Sequence, residues 1–351
     1  MLKIEGIEKK FRDFHLQDIH LNVEKGDYFM LLGKSGSGKS LLLEIIAGLQ
    51  RADSGKIMLN NKEITHLEIQ KRNIGLLFQD FAIFPHLSVF QNIAYPLRSN
   101  KRNRKEIGEI VTNLAMEFEI AHLLRRKTNN LSGGEKQRLA LARTLAMEPE
   151  ILLLDEPLTS LDVQLRQGIR KLFRNINGKG KTIIHVTHDH EEAMLLANKV
   201  AVIHQGKIIQ KGPVKDVFHR PVNEFVANFT GIKNFFRGVF IDDGQDELNK
   251  IQIKEGVIVK ALRKPSGKET AVVIRCQDII LSKNKAETSA ANNFRATVLE
   301  VFPSVVGFEV LLDIGVQLTA LVSSEAIQKF KLAENNIIWV SFKASALKIL
   351  D

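Results

Sequence analysis

The chain has 351 residues, a net charge of +10 and an apolar fraction of 44%, so we expect two soluble globular domains. No window approaches the roughly 20 uncharged apolar residues of a membrane helix, and the first six residues lack the apolar run of a signal peptide. We therefore expect a cytoplasmic chain. The single cysteine excludes an internal disulfide. The basic charge would attract polyanions, but it does not separate the functional classes.

The first 50 residues predict strands followed by a loop and a helix. Residues 1–30 alternate apolar and polar with two glycine-containing breaks, at Glu5-Gly6 and at Lys25-Gly26-Asp27, which predicts short antiparallel strands. Residues 28–32 form an apolar run that predicts a buried strand, and residues 41–49 have helical character that stops at Gly48. A glycine-rich loop at 33–40 joins the two, which is the context of a phosphate-binding loop.

The glycine-rich loop carries the first chemistry. Its glycines let backbone N–H groups turn inward around phosphate oxygens, and the helix dipole favours the same charge. Lys39 is placed to reach the β- and γ-phosphates, and Ser40 to ligate Mg²⁺. The loop residues expected to contact a nucleotide are Gly33, Ser35, Gly36, Ser37, Gly38, Lys39 and Ser40.

Strand patterns are missing from about residue 81 to residue 147. Apolar residues at helical spacing in 92–97, 106–118 and 135–146 predict a helical subdomain inserted into an α/β core. Ser132 and Glu135 have the spacing of a capping box at the start of the third of these helices, and a capped helix N-terminus is also an anion site.

Two adjacent acids follow the next strand, at residues 151–154. Asp155 can hold the Mg²⁺ shell from the far side, and Glu156 can accept a proton from an attacking water. The upstream loop favours these roles over surface charge. Another strand is predicted at 182–186 and a hairpin at 200–210. His185, His188 and His190 could suggest a metal, but no cysteine lies near, which argues against zinc.

The loop at 33–40, the run Leu131-Ser132-Gly133-Gly134-Glu135 and the pair Asp155-Glu156, in this order, resemble the ATPase subunit of ABC transporters. The resemblance implies a P-loop NTPase (ABC ATPase) domain over residues 1–230, with the helical subdomain at about 81–147. It implies a homodimer that closes around two ATP molecules, with Ser132, Gly133 and Gly134 of one copy facing the γ-phosphate held by the other.

Four more positions match the family pattern. Gln79 resembles the glutamine that senses the γ-phosphate and Mg²⁺, and His188 resembles the switch histidine. Asp162 belongs to a run that resembles the loop joining the two active sites. Phe11 lies where the family stacks an aromatic ring on adenine, and Phe14 competes for that role. The implied magnesium ligands are Ser40, Gln79 and Asp155.

A domain boundary is predicted near Thr230-Gly231, and residues 231–351 predict a small OB-like β-barrel. Strand patterns occur at 235–241, 251–262, 270–281, 294–302, 307–312 and 337–342, with one helix at 324–330. The polar stretch 284–293 divides the barrel into two halves.

The C-terminal region resembles the regulatory barrels of importer ATPases. Residues 284–351 resemble the molybdate/tungstate-binding domain, through 288–292 and 342–347. The candidate oxyanion ligands are Ser289, Lys343 and Ser345. Ala291 departs from the pattern, because the family often has a basic residue there, and this weakens the case for anion binding.

The resemblance favours the ATP-hydrolysing subunit of an importer for molybdate or tungstate, lying peripherally on the cytoplasmic face of the inner membrane. Its partners would be permease subunits, which meet the apolar segment 81–90, and indirectly an external substrate-binding protein. Core packing could also explain half of that segment. The alternatives are an importer of sulfate, ferric iron or a polyamine, and a soluble ATPase acting on nucleic acid or ribosomes. We expect no specific nucleic-acid partner.

Overall fold

The computed structural model describes residues 1–99, 102–159, 161–241, 247–285, 288–304 and 306–350. It contains two compact units, Met1–Val217 and Phe218–Asp351. The domain boundary predicted near Thr230 stays a prediction. None of the helices in the described residues is long and apolar enough to cross a membrane.

The elements up to residue 219 are strands and helices in mixed order. The strands are β1 (Leu2–Lys10), β2 (His15–Val23), β3 (Tyr28–Leu32), β4 (Ser54–Leu59), β5 (Lys62–Glu63), β6 (Ile74–Leu77), β7 (Ile151–Asp155), β8 (Thr182–Thr187), β9 (Lys199–His204) and β10 (Lys207–Pro213). The helices are α1 (Lys39–Ala47), α2 (Val89–Ala94), α3 (Arg104–Glu117), α4 (Gly133–Leu145), α5 (Val163–Gly178), α6 (His190–Leu196) and α7 (Val214–His219). Short 3₁₀ turns lie at Ile69–Lys71, Pro96–Ser99, Ala121–Leu123 and Thr128–Asn130.

A six-stranded sheet forms the centre of the first unit, in the order β10-β9-β3-β8-β7-β6. All neighbours are parallel except β9 and β10, which form the predicted hairpin. Parallel strands are covered on both faces, so β3 and β8 are buried throughout. Because the carboxyl ends of β3 and β7 meet at one edge, the loop at 33–40 lies beside Asp155 and Glu156.

A four-stranded antiparallel sheet, in the order β2-β1-β4-β5, holds the N-terminal strands. The predicted break at Glu5-Gly6 is wrong, because β1 continues through it. Gly6 has φ of 59° and the pairing register with β2 shifts beside it, so this glycine forms a bulge within one strand. The structure also has β4, β5 and β6 within residues 54–77, where the sequence pattern predicts no element.

The inserted helical subdomain of the predicted fold is confirmed, while its bounds of about 81–147 stay a prediction. The described part of that range contains α2, α3 and α4 and no named strand. Each helix begins with a capping box, formed by Ser88 and Gln91, by Asn103 and Glu106, and by Ser132 and Glu135. These side chains satisfy backbone N–H groups that a helix start otherwise leaves unpaired.

The second unit is built from two five-stranded antiparallel sheets, with orders β13-β12-β11-β14-β20 and β15-β19-β16-β17-β18. Its elements are α8 (Glu224–Phe229), β11 (Asn234–Ile241), β12 (Asn249–Lys254), β13 (Val257–Ala261), β14 (Glu269–Ile274), β15 (Ile280–Ser282), β16 (Asn292–Ser304), β17 (Gly307–Asp313), β18 (Gln317–Val322), α9 (Ser324–Phe330), β19 (Ile337–Phe342) and β20 (Lys348–Leu350), with a 3₁₀ turn at Cys276–Asp278. The two strand orders correspond, with β11 and β16 as the central strands. The strands β12, β13, β14 and β20 take the places of β17, β18, β19 and β15. In each sheet, one edge strand comes from the other half of this unit's sequence, since β20 pairs with β14 and β15 pairs with β19.

Two strands predicted in this unit are wrong. Residues 251–262 form the hairpin of β12 and β13, because Gly256 adopts φ of 79° and turns the chain. Residues 270–281 divide between β14 and β15 in different sheets, across the turn at Cys276–Asp278. The predicted helix at 324–330 and strand at 337–342 agree with α9 and β19.

Candidate nucleotide-binding site

The loop at 33–40 carries the lysine expected to meet phosphate. Lys39 Nζ is buried and donates to the carbonyl oxygens of Gly33, at 2.9 Å, and Lys34, at 3.1 Å. Burial lowers the pKa of Lys39, and Glu156 and Asp155 act in the opposite direction. A cationic side chain is therefore held inside the loop with no carboxylate of the described residues closer than Glu156, at 3.9 Å.

The same loop leaves one buried polar atom without a partner. Ser37 Oγ makes no hydrogen bond although it is withdrawn from solvent. Gly38 has φ of 103°, and a Cβ there would lie 2.7 Å from the Phe14 ring, so glycine is required at this position. An anion seated in the loop would suit the unpaired hydroxyl, since buried polar groups are normally bonded.

Asp155 and Ser40 supply oxygen atoms next to the loop. Ser40 Oγ donates to Asp155 Oδ1 at 2.9 Å. Burial raises the pKa of Asp155, and the bond from Ser40 opposes it. Gln79 is exposed and lines the same cavity of about 550 Å³ as Lys39, Ser40 and Glu156. Hydroxyl, carboxylate and amide oxygens suit Mg²⁺, so the residues present fit that ion.

Glu156 is held in a strained conformation beside a histidine. Its φ is 42°, in the left-handed region that residues other than glycine rarely adopt. Its N–H donates to Val186 O at 3.0 Å, and one carboxylate oxygen lies 3.3 Å from His188 Nδ1. Thr159 Oγ1 donates to the carbonyl oxygen and to Oε2 of Glu156, at 3.0 and 3.2 Å. Sequence reasoning missed Thr159.

Two aromatic rings line the cavity, as the competing assignments for adenine require. Phe11 is 45% exposed, and Lys9 Nζ lies 5.6 Å from its ring centroid. Phe14 is half-buried and packs against Gly38. The greater exposure of Phe11 leaves more of its ring free for stacking, and its assignment to adenine stays a prediction.

The remaining predicted contacts lie at two other helix starts, and they do not line that cavity in the described residues. Ser132 Oγ caps α4 by accepting from Glu135 N, and the Glu135 carboxylate accepts from the Ser132 N–H at 2.7 Å. Asp162 caps α5 by accepting from Leu165 N at 2.9 Å, while the preceding Ser160 lies outside the described residues. The starts of α4 and α5 lie against each other. A Cβ atom added to Gly134 would lie 3.1 Å from the Leu165 side chain, and one added to Gly133 would lie 3.7 Å from the Leu161 side chain.

His185, one of the three histidines, is a core residue. It is fully buried, and its Nδ1 lies 2.9 Å from Tyr28 Oη. Burial lowers the pKa of His185 to about 3 and raises the pKa of Glu192, 3.5 Å away, to about 7. Although the two side chains are close, these shifts make both less charged, so they do not form a strong ion pair. The described residues contain no cluster of three or more His, Cys, Asp or Glu side chains able to hold a metal.

The candidate oxyanion ligands are all exposed: Ser289, Lys343 and Ser345. The pairing of Asn292 with Phe342 puts both candidate segments at the same end of β16 and β19. Ala291 is half-buried, with buried residues on either side. The geometry therefore brings the segments together, and anion binding there stays a prediction.

Similarity to known proteins identifies the family of the chain. The ABC transporter family model matches residues 16–159. Molybdate/tungstate import ATP-binding proteins are 41% identical in Pyrococcus abyssi, over 99% of this chain and 100% of that protein, and 45% identical in Thermococcus kodakarensis, over 85% and 88%.

Solved structures resemble the chain over about three fifths of its length. One is part of an ABC transporter complex of Clostridium perfringens, with 35% identity and a TM-score of 0.58 over 62% of this chain and 90% of that one. Another is a dimeric ATP-binding cassette in a post-hydrolysis state bound to ADP and Pi, with 30% identity and a TM-score of 0.56 over 61% and 99%. With a relative 41% identical over nearly its whole length, the chain belongs to the ATP-binding subunits of ABC transporters.

Proposed function

We propose that this chain is the ATP-hydrolysing subunit of an importer for molybdate or tungstate. The observation that carries the ATPase assignment is that Lys39, Ser40 and Glu156 line one cavity. Asp155 accepts from Ser40, and His188 lies 3.3 Å from Glu156. The substrate rests on full-length relatives that are molybdate/tungstate import ATP-binding proteins.

The chain's own groups divide the work of hydrolysis. Lys39 and the backbone N–H groups of the loop bind the phosphates. Ser40, Asp155 and Gln79 would hold Mg²⁺, which when bound neutralises developing charge on the phosphate oxygens. Glu156 would accept a proton from the attacking water at a carboxylate oxygen. His188, whose Nδ1 lies 3.3 Å from Oε2 of that carboxylate, would orient the base and contact the γ-phosphate.

The site is completed by a second copy. Ser132, Gly133, Gly134 and Asp162 lie at helix starts away from the cavity of their own chain, as a shared site requires. The backbone N–H groups at the start of α4 would face the γ-phosphate held by the other subunit. The functional form is therefore a homodimer around two ATP molecules.

The remaining partners lie at the membrane. Permease subunits dock against the apolar segment 81–90, so that the ATPase lies on the cytoplasmic face, and an external binding protein delivers the anion. Molybdate or tungstate accumulating in the cell would bind near Ser289, Lys343 and Ser345 and hold the ATPase halves of the dimer apart, as negative feedback.

Reconstitution tests the proposal. The subunit, its permease and its binding protein are placed in proteoliposomes with internal ATP, and uptake of molybdate, tungstate and sulfate is measured. We expect ATP-dependent uptake of molybdate or tungstate and none with the Glu156→Gln subunit. Uptake of sulfate alone would contradict the substrate, and ATPase stimulation by nucleic acid instead of the permease would contradict the importer.

A further inference from the structure

The chain leaves Gln79 through a turn of unfavourable backbone conformation. Phe81 and Ala82 have φ of 59° and 46°, in the left-handed region that costs energy for residues with a Cβ. Within the turn, Phe81 N donates to Phe78 O at 3.0 Å and Ala82 N to Asp80 O at 2.7 Å. Two consecutive strained residues persist only where their surroundings hold them.

Arg143, on α4, donates hydrogen bonds to two carbonyl oxygens of this turn. Its Nη1 donates to Ala82 O at 2.8 Å and its Nη2 to Phe81 O at 3.0 Å. Its guanidinium carbon lies 4.9 Å from the centroid of the Phe84 ring, in cation–π contact. Burial lowers the pKa of Arg143. A planar fork that bonds two carbonyls and stacks on a ring cannot be reproduced by lysine.

The other side of the turn is fixed by α2. Asn92 is fully buried, accepts from Phe84 N at 3.0 Å and donates to Phe84 O at 3.1 Å. The Tyr95 ring lies 4.5 Å from the Phe84 ring. Residues 81–84 are therefore clamped between the last turn of α4 and α2, and their position follows those two helices.

The same helix α4 starts at the capped Ser132. A helix of 13 residues is a rigid rod of about 20 Å, so a displacement at its start is carried to Arg143 near its end. On the proposed function, the start of α4 faces a nucleotide and residues 81–90 face the permease. Arg143 is the side chain of α4 that bonds the turn at Phe81 and Ala82 directly, so a displacement of α4 would reach the turn through it.

We propose that Arg143 is a positioning residue that couples α4 to the turn after Gln79, so that nucleotide-driven movement of α4 moves the permease-docking segment. Arg143 touches neither nucleotide nor reacting water in this assignment. Its loss should separate ATP hydrolysis by the isolated subunit from stimulation by the permease. The inference rests on the proposed function and adds the residue that links its two surfaces.

Arg143→Lys in the full chain tests this coupling. In proteoliposomes we expect the permease-dependent stimulation of ATPase to fall at least tenfold, while the isolated subunit keeps its KM for ATP and its kcat within about twofold. Amide hydrogen exchange at residues 81–84 should accelerate at least tenfold. The matched control is Arg138→Lys, because Arg138 lies on the same helix and donates to Phe118 O and Glu119, away from the turn. It should leave stimulation and exchange at 81–84 unchanged.

Wild-type stimulation and exchange in Arg143→Lys would overturn the inference, as would an equal loss in Arg138→Lys, which would mean general loosening of α4. If Arg143→Lys does not fold, Phe84→Leu removes the ring face under the guanidinium and keeps the apolar volume. It should lower stimulation several-fold, and no effect would overturn the inference. A wild-type subunit that hydrolyses no ATP would contradict the proposed function instead.

Discussion

Glu156 combines a strained backbone with a histidine contact and a place beside Lys39, which suits a general base. Glu156→Gln removes the proton acceptor and leaves the phosphate loop intact. We expect it to bind ATP normally and to lose at least 100-fold in hydrolysis. Lys39→Ala should instead lose tight binding. Equilibrium binding of a fluorescent ATP analogue and phosphate release distinguish the two, and near-normal turnover by Glu156→Gln would remove the assignment.

Glu192 gives the fold a pH dependence of known sign. Burial, then Asp189, raises its pKa from 4.5 to about 7, against Thr187, Arg170 and Arg166. The unfolded chain therefore loses this proton first as the pH rises, so Glu192 contributes stability below pH 4.5 that is lost by about pH 7. Relative to wild type, Glu192→Gln should gain on the order of 3 kcal/mol in unfolding free energy between pH 4.5 and pH 8.

Urea unfolding at several pH values checks this difference. His185, whose pKa is lowered to about 3 by burial and then by Arg170, acts in the opposite sense below pH 6.5. It is present in both proteins, so it cancels in the comparison to first order. A difference independent of pH would mean that Glu192 is ionised in the folded protein throughout this range.

The candidate site residues predicted from the sequence share a local signal. Lys39 and Ser40 sit in a contiguous loop, and Asp155 and Glu156 end one strand, so each could be named without knowing what lies opposite. Arg143 and its carbonyl partners are about 60 residues apart, with no pattern to link them. Contacts of that kind depend on how the helical subdomain packs, which periodicity does not encode.

Element boundaries followed turn chemistry more than apolar pattern. The alternation in 251–262 runs straight through Glu255-Gly256, yet Gly256 turns the chain into a hairpin. The alternation in 270–281 likewise gives no sign that the chain leaves one sheet after β14 and enters the other at β15. The predicted helix at 324–330 agrees with α9, and in the structure its start is capped by Ser323, whose side chain accepts from Ala326 N.

Two buried asparagines tie the sheets of the second unit together. Asn234 donates to Thr319 O at 2.8 Å and accepts from Thr319 N at 2.7 Å, and Asn292 makes the same exchange with Lys260 at 2.9 and 2.7 Å. Each starts the central strand of its own sheet and bonds an edge strand of the other. The two sheets therefore correspond both in strand order and in these two asparagine side chains.

Asn234→Ala should destabilise the second unit by about 2–4 kcal/mol, because it leaves both polar backbone groups of Thr319 buried without a partner. Trp339, the one tryptophan of the chain, lies in β19 and reports unfolding of this unit by fluorescence. Asn249→Ala, which loses weaker bonds in a hairpin of the same unit, should cost under about 1 kcal/mol. Equal losses of unfolding free energy in the two variants would contradict the role of Asn234 in joining the two sheets.

At the scale of the whole molecule, the candidate anion site decides whether the second unit regulates the first. Lys343 is its one ammonium, and Ala291 supplies no charge. Calorimetry of the full chain without nucleotide should show heat with molybdate and tungstate and none with sulfate, lost in Lys343→Ala and kept in Lys329→Ala on α9. No heat with any anion at millimolar concentration would remove the feedback and leave the transport assignment standing.

The proposed shared site depends on the proposed homodimer, and substitution of Ser132 tests both directly. In one chain, Ser132 only caps α4, so Ser132→Arg should cost about 1 kcal/mol of stability and leave ATP binding to the monomer intact. In the dimer, the arginine would occupy the position of the γ-phosphate held by the facing subunit. In the Glu156→Gln background, ATP should therefore produce a dimer by light scattering, and Ser132→Arg should abolish that dimer. Ser132→Ala is the matched control, since it loses the same cap without adding bulk, and it should still dimerise. A stable ATP-bound dimer with Ser132→Arg would mean that Ser132 is a helix cap and that the two active sites are not shared in this way.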